Sequence, residues 1–147
     1  MSAAAGATLV HASCIAFDTR SGVLITGRSG RGKSALALAL VDRGARLVCD
    51  DRTLVWRVGR ALFARAPAPI AGLLEVRGLG LIRLPMVRLA RLSLIIDADA
   101  PEPPRFPDPC RRELLGIDLP CLAMSRSPSF PAALQRYVVQ PMVGAAR

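Results

Sequence analysis

The sequence predicts an α/β domain, a mixed sheet covered by helices around a phosphate-binding loop. Three observations carry that expectation. Hydrophobic residues make up 52% of the chain but aromatics only 4%, so the core must be built from Ala, Leu, Val and Ile, which suits a sheet under tightly packed helices. A glycine-rich segment, "GRSGRGKS", lies between an apolar strand-like run and an Ala/Leu-rich run. Short apolar stretches then recur, punctuated by Gly, Pro and Asp. At 147 residues the chain fits a single domain, 1–147, large enough to bury a core without staples.

Residues 8–17 have strand composition, and the turn "DTRSG" at 18–22 closes a hairpin with a strand over 23–26. The spacing after the glycine segment predicts a helix over 34–43, with no internal breaker and Gly44 as its stop. Residues 46–49 form a short strand delivering Asp50 and Asp51. Residues 53–58 and 61–66 read as a hairpin turning at Gly59-Arg60, and "APAPIAG" as a loop. Residues 73–83 hold a polar glycine segment between apolar residues, and 89–96 form a buried strand ending at Asp97. A proline-rich loop follows over about 100–109, and a helix candidate lies near 132–139.

The charge is +9 and the pI 11.1, but the basic residues are scattered and Arg111-Arg112 is the only adjacent pair. With a single Trp and a single Tyr, this argues against a nucleic-acid groove and for a solvated arginine-rich surface. The four cysteines form no CxxC pair and His11 is the only histidine, which argues against structural zinc. No run reaches about 18 uninterrupted apolar residues, and no secretory leader is visible. The expectation is a reduced, cytoplasmic protein that does not enter membranes; self-association is left open.

Nineteen basic residues are arginine and one is lysine, Lys33, inside the glycine segment. A chain that uses Arg everywhere else points to a need for an ammonium point charge there. The segment is a complete GxxxxGK[ST] P-loop between predicted strand and helix: Gly27, Arg28, Ser29, Gly30, Arg31, Gly32, Lys33, Ser34. Its N–H groups would cradle phosphates, Lys33 would reach the β- and γ-phosphates, and Ser34 would join a Mg²⁺ shell. The expected ligands are ATP and Mg²⁺.

A second carboxylate has two candidate positions, Asp97 at a strand end or the pair Asp50-Asp51. Paired carboxylates can divide labour, one held by the metal network and one kept as base. His11 in "HASC" and Glu75 beside Arg77 in "LLEVRGLGLIR" are further candidates. Read alone, the first is more often a core or edge residue than a catalytic one, and the second is equally a surface ion pair.

Taken together, "GRSGRGKS", "RGARLVCDD" and "LEVRGLGLI" resemble the catalytic domain of HPr kinase/phosphorylase over residues 11–120. The resemblance implies a short, catalytic-domain form that phosphorylates a serine of an HPr-like phosphocarrier of a phosphotransferase system. It implies phosphate binding by Lys33, Mg²⁺ binding by Ser34 and Glu75, and proton transfer by Asp51, with Asp50 and His11 in the active site. Arg77, Gly78 and Gly80 fall in the family's signature loop. Arg28 and Ala35 replace acidic residues usual in the family. The arginine- and glycine-containing C-terminal element tied to phosphorolysis is reduced to "SRSPSF", and Arg105, Arg111 and Arg112 remain open as the catalytic arginine. A small-metabolite kinase and a nucleotide-binding regulatory ATPase are the alternatives.

Overall fold

The strand expected over 8–17 forms as two. In the computed structural model, which describes residues 6–139, β1 (Thr8–Val10) and β2 (Ala12–Ala16) are separated by a bend at His11. The bend lets one segment serve two surfaces. β1 pairs with β5 (Thr53–Val58), while β2 lies between β3 (Gly22–Thr26) and β4 (Arg46–Cys49), all antiparallel. All five β2 residues are buried, as befits an interior strand covered on both faces.

Between β3 and β4 runs α1 (Lys33–Val41). It stops where Gly44 takes φ +103°, and Ala45 N–H donates back to Leu40 O at 3.1 Å. β5 and β6 (Ala61–Arg65) form the expected hairpin. β7 (Leu73–Val76) and β8 (Gly80–Arg83) form a separate two-stranded hairpin, so the glycine segment between them is its turn.

β9 (Ala90–Asp97) organises the main sheet. One edge runs parallel to β3. The other edge pairs antiparallel with β6 at Ala90 and Arg91, then parallel with β11 (Ile117–Ala123) at Ile95–Asp97. A bulge makes the change of partner possible: Gly22 faces Leu92 and Val23 faces Leu94, leaving Ser93 unmatched on β3. The extra residue reverses the side-chain alternation. Leu92 packs with Leu24, Val55 and Leu62 in one core layer, and Leu94 with Val23, Leu40 and Leu134 in the other. The second layer lies beneath α1, α2 (Phe130–Val139) and the β7–β8 hairpin.

The proline-rich segment is irregular, as its composition predicts. The hairpin of β10 (Cys110–Leu114) and β11 was not anticipated. Its turn uses Leu115 at φ +51° before Gly116 at +82°, where Asn or Asp would have been the legible signal.

The bulge also brings β3 and β9 close at Gly22, where a Cβ would lie 2.8 Å from the Arg91 carbonyl oxygen. Gly22→Ala is therefore expected to destabilise the fold by about 1–3 kcal/mol, the usual range for overpacking. Urea unfolding checks this, and an unchanged midpoint would show that the two strands separate freely.

Candidate functional site

From Thr26 the chain turns through residues 27–32 into α1, and Gly27, Gly30 and Gly32 take φ values of +141°, +83° and +92°. At Gly27 space is as restrictive as angle, because a Cβ would sit 2.9 Å from Ala98 Cβ. α1 has no side-chain cap and no acidic residue in its first turn, so its positive end meets the loop without a neutralising carboxylate of its own. Lys33 lies beneath the loop, only 5% exposed, and its Nζ donates to Arg28 O at 3.0 Å.

The two aspartates after β4 have opposite environments. Asp50 is buried; its Oδ1 accepts from Ser13 Oγ at 2.8 Å and Ser34 Oγ at 2.7 Å, and its Oδ2 from the Glu75 backbone N–H at 3.1 Å. Asp51 takes a left-handed backbone, φ +70°, and its side chain turns outward. Its Oδ1 lies 2.7 Å from His11 Nε2, and its own N–H donates to Ser13 Oγ at 3.1 Å. One hydroxyl, Ser13, thus bridges both residues.

A cleft of about 550 Å³ lies between the loop and β7. Ser29, Gly30, Gly32, Lys33 and Ser34 line one side, and Glu75 and Arg77 the other, with Asp50 and Asp51 also on its wall. His11 stands behind Asp51 at the β1–β2 bend. Gly78, at φ +91°, lies in the hairpin turn and Gly80, at +102°, opens β8; neither is on the cleft wall. Glu75 is exposed, and among the described residues no ion pair joins it to Arg77, so the surface-pair reading does not hold.

Arg28 and Arg31 face the outside of the loop. Asp99 accepts the Arg28 backbone N–H at 3.0 Å, and the Nε atoms of Arg28 and Arg31 approach it at 3.5 and 3.3 Å. That backbone bond, more than the guanidinium charges, holds the Asp99 carboxyl below the usual range. The anchor is therefore fully present above the ordinary carboxylate pKa and is lost only as pH falls through the lowered value. On the same side Arg126 donates to Arg31 O at 2.6 Å and Ala98 O at 3.2 Å. Glu102 fixes that segment by accepting from Ser125 Oγ at 2.5 Å and Arg126 N–H at 2.7 Å.

Asp97 is not on the cleft wall. It accepts the Asp99 N–H at 2.9 Å and faces Arg112 at 3.5 Å, so Asp50 and Asp51 are the cleft carboxylates. Of the three candidate arginines, Arg112 alone approaches the end of β3, donating to Thr26 Oγ1 at 2.7 Å. Arg105, Arg111 and Arg112 all lie off the cleft wall. Sequence reasoning missed Ser13 and Asp99, and read Arg126 only as the arginine of "SRSPSF". Ser13 had a signal, a hydroxyl inside an otherwise apolar strand; Asp99 had none.

The donor set suits Mg²⁺. Among the described residues no three His, Cys, Asp or Glu side chains cluster as a metal site. A Ser hydroxyl and one or two carboxylates fit a hard cation that keeps waters and shares a ligand's phosphates. Among the described residues no helix is long and apolar enough to cross a membrane.

Comparison with known proteins bears on the same residues. The model of the HPr Serine kinase C-terminal domain matches residues 2–87. The HPr kinase/phosphorylase of Geobacillus thermodenitrificans is 40% identical over 120 residues, covering 73% of this chain and 39% of that protein. The one from Clostridium tetani is 47% identical over 76 residues, covering 52% of this chain and 24% of that protein. The chain thus spans well under half the length of either relative. A solved structure, the Hpr(Ser) kinase/phosphatase from Coxiella burnetii, matches with a TM-score of 0.76 at 30% identity, over 90% of this chain and 94% of that one. With more than half its residues under the family model and its fold shared with a solved kinase/phosphatase of that name, the chain belongs to the HPr serine kinase C-terminal domain family.

Proposed function

We propose that the chain is an ATP- and Mg²⁺-dependent protein-serine kinase acting on an HPr-like phosphocarrier protein. One observation carries the reading: Asp50 binds Ser34 and the backbone of Glu75 together, while Asp51, beside it, remains open to the cleft. Relatives bearing the names HPr kinase/phosphorylase and Hpr(Ser) kinase/phosphatase support the substrate class.

In this reading the loop N–H groups and Lys33 hold the nucleotide's β- and γ-phosphates, with Lys33 giving up its bond to the Arg28 carbonyl. Ser34 and Glu75, with Asp50 behind them, would hold Mg²⁺, which would supply charge neutralisation for the transferring phosphoryl group. Asp51 takes the proton of the incoming serine hydroxyl, and His11 keeps its carboxylate aimed. Phosphoryl transfer depends mainly on positioning and electrostatics, and the cleft provides both.

The reverse reaction requires inorganic phosphate to be held in line with the phosphoserine by additional donors. Arg126, the one arginine of "SRSPSF", is already committed to two backbone carbonyls, Arg31 in the loop and Ala98 just past β9. The direction favoured is therefore kinase.

Lys33→Arg keeps the charge but replaces a point donor with a wide fork, and transfer to an HPr-like carrier should fall by about a hundredfold or more. The mass shift of the carrier measures it, and near wild-type transfer would remove the phosphate-loop assignment. Asp51→Asn should bind ATP normally yet abolish transfer, whereas Glu75→Gln should chiefly raise the Mg²⁺ requirement. Equal loss of ATP affinity in both, with the same Mg²⁺ dependence, would refute the division of labour. Pyrophosphate release from the phosphorylated carrier at saturating phosphate should be slow, and a rate matching the forward one would show that Arg126 is no obstacle.

A further inference from the structure

All four cysteines are free, and they stand opposite one another in two cross-strand pairs. Cys14 faces Cys49 across β2 and β4, and Cys110 faces Cys121 across β10 and β11. Directly opposed residues of antiparallel strands have Cα atoms roughly 4.5–5.5 Å apart, within the span of a disulfide.

Access separates the pairs. Cys14 and Cys49 are both 0% exposed, and Cys49 Sγ donates to Arg52 O at 2.8 Å. Their strands also shift register beside Cys14, which distorts the ladder at that point. Cys110 is exposed at the start of β10, an edge strand paired only with β11 and entered from the proline-rich loop. Cys121 is buried directly across from it and in side-chain contact with it; burial pushes its thiol up to about 11.

We propose that Cys110 and Cys121 form a reversible disulfide site, closed by hydroperoxide-class oxidants and opened by dithiols. The exposed Cys110 thiolate attacks a peroxide oxygen; the O–O bond breaks, water or an alcohol leaves, and Cys110 becomes a sulfenic acid. Cys121, giving up its proton, then attacks Cys110 Sγ; the S–S bond forms, the S–O bond breaks, and water departs. The two electrons lost by the thiols reduce the peroxide. The bond would tie the outer end of β10 to β11, and so hold Arg112, two residues along, against Thr26 at the end of β3 and Asp97 at the end of β9. The site lies outside the cleft, so it stands apart from the kinase reading.

The folded full chain is treated with hydrogen peroxide, alkylated, digested and analysed by mass spectrometry, with amide hydrogen exchange on the oxidised and reduced forms. Expected are the loss of two hydrogen atoms, a peptide linking Cys110 to Cys121, unlinked Cys14 and Cys49, and reversal by dithiothreitol. Exchange across 110–114 should slow by about tenfold in the oxidised form. Cys110→Ser, at an exposed position, should abolish the link. The proposal is overturned if Cys110 oxidises with Cys121 left free, if either cysteine links elsewhere or between chains, if the buried pair links first, or if exchange across 110–114 is unchanged.

Discussion

The site depends on one buried carboxylate. Asp50 collects donors from three segments far apart in sequence: Ser13 on β2, Ser34 at the start of α1 and the Glu75 backbone on β7. Among the described residues it has no salt-bridge partner, so these three bonds replace the water lost on burial. Hydrogen bonds to a charged group contribute about 1.5–3 kcal/mol each, and losing a donor leaves a buried charge partly unsatisfied. The sheet, the first helix and the β7–β8 hairpin are therefore held in register at the proposed site for metal and phosphates. Structural economy and the proposed chemistry coincide in the Ser34–Asp50 bond.

A second constraint acts from behind the loop. β9 serves β6 and β3 at one end and β3 and β11 at the other, and the Ser93 bulge lets it turn between them. It leads directly into Ala98 and Asp99, the surface on which the loop rests: Gly27 fits against Ala98, and Asp99 receives the Arg28 N–H. Arg28 and Arg31 thus turn outward onto an acid, and Arg126 closes the same side through the Arg31 carbonyl. Only Lys33, among the basic residues of the loop, is directed beneath it. This gives the compositional oddity of a single lysine a geometric counterpart.

What was legible in the sequence is what is decided locally. The glycine loop, α1, the β5–β6 hairpin and the pairing of β2 with β3 follow from turn residues and periodicity within a few positions. The break at His11 was not legible, because nothing in "TLVHASC" interrupts a strand; β1 leaves because β5, more than forty residues on, offers it an edge. The Ser93 bulge was hidden for the same reason, and the β10–β11 turn because Leu115 occupies a left-handed position without the usual residue type. In the site, Lys33 and Ser34 were singled out by motif, whereas motif and spacing left the two aspartates in competition with Asp97 and only the family resemblance favoured them. Arg126 was read only as a remnant of a lost element, and its bonds to Arg31 and Ala98 depend on where β9 and the segment after β11 meet.

The adjacency of Asp50 and Asp51 poses a problem that the backbone solves. Two adjacent carboxylates in one pocket compete for the same donors, and the proposed base needs its oxygens clear of the donors that hold its neighbour. At Asp51 the chain adopts φ +70°, a conformation disfavoured by about 1–2 kcal/mol for a residue with a Cβ, and this turns its carboxylate away from the Ser13–Ser34–Glu75 donors. The Ser13 hydroxyl receives the Asp51 N–H while donating to Asp50, so the contact that satisfies one aspartate also holds the other in the turned conformation. His11 then gives Asp51 a partner of its own at the cleft edge, placed there by the same bend that divides β1 from β2. The broken strand and the strained residue are thus two parts of one device, which keeps one carboxylate structural and leaves the other available.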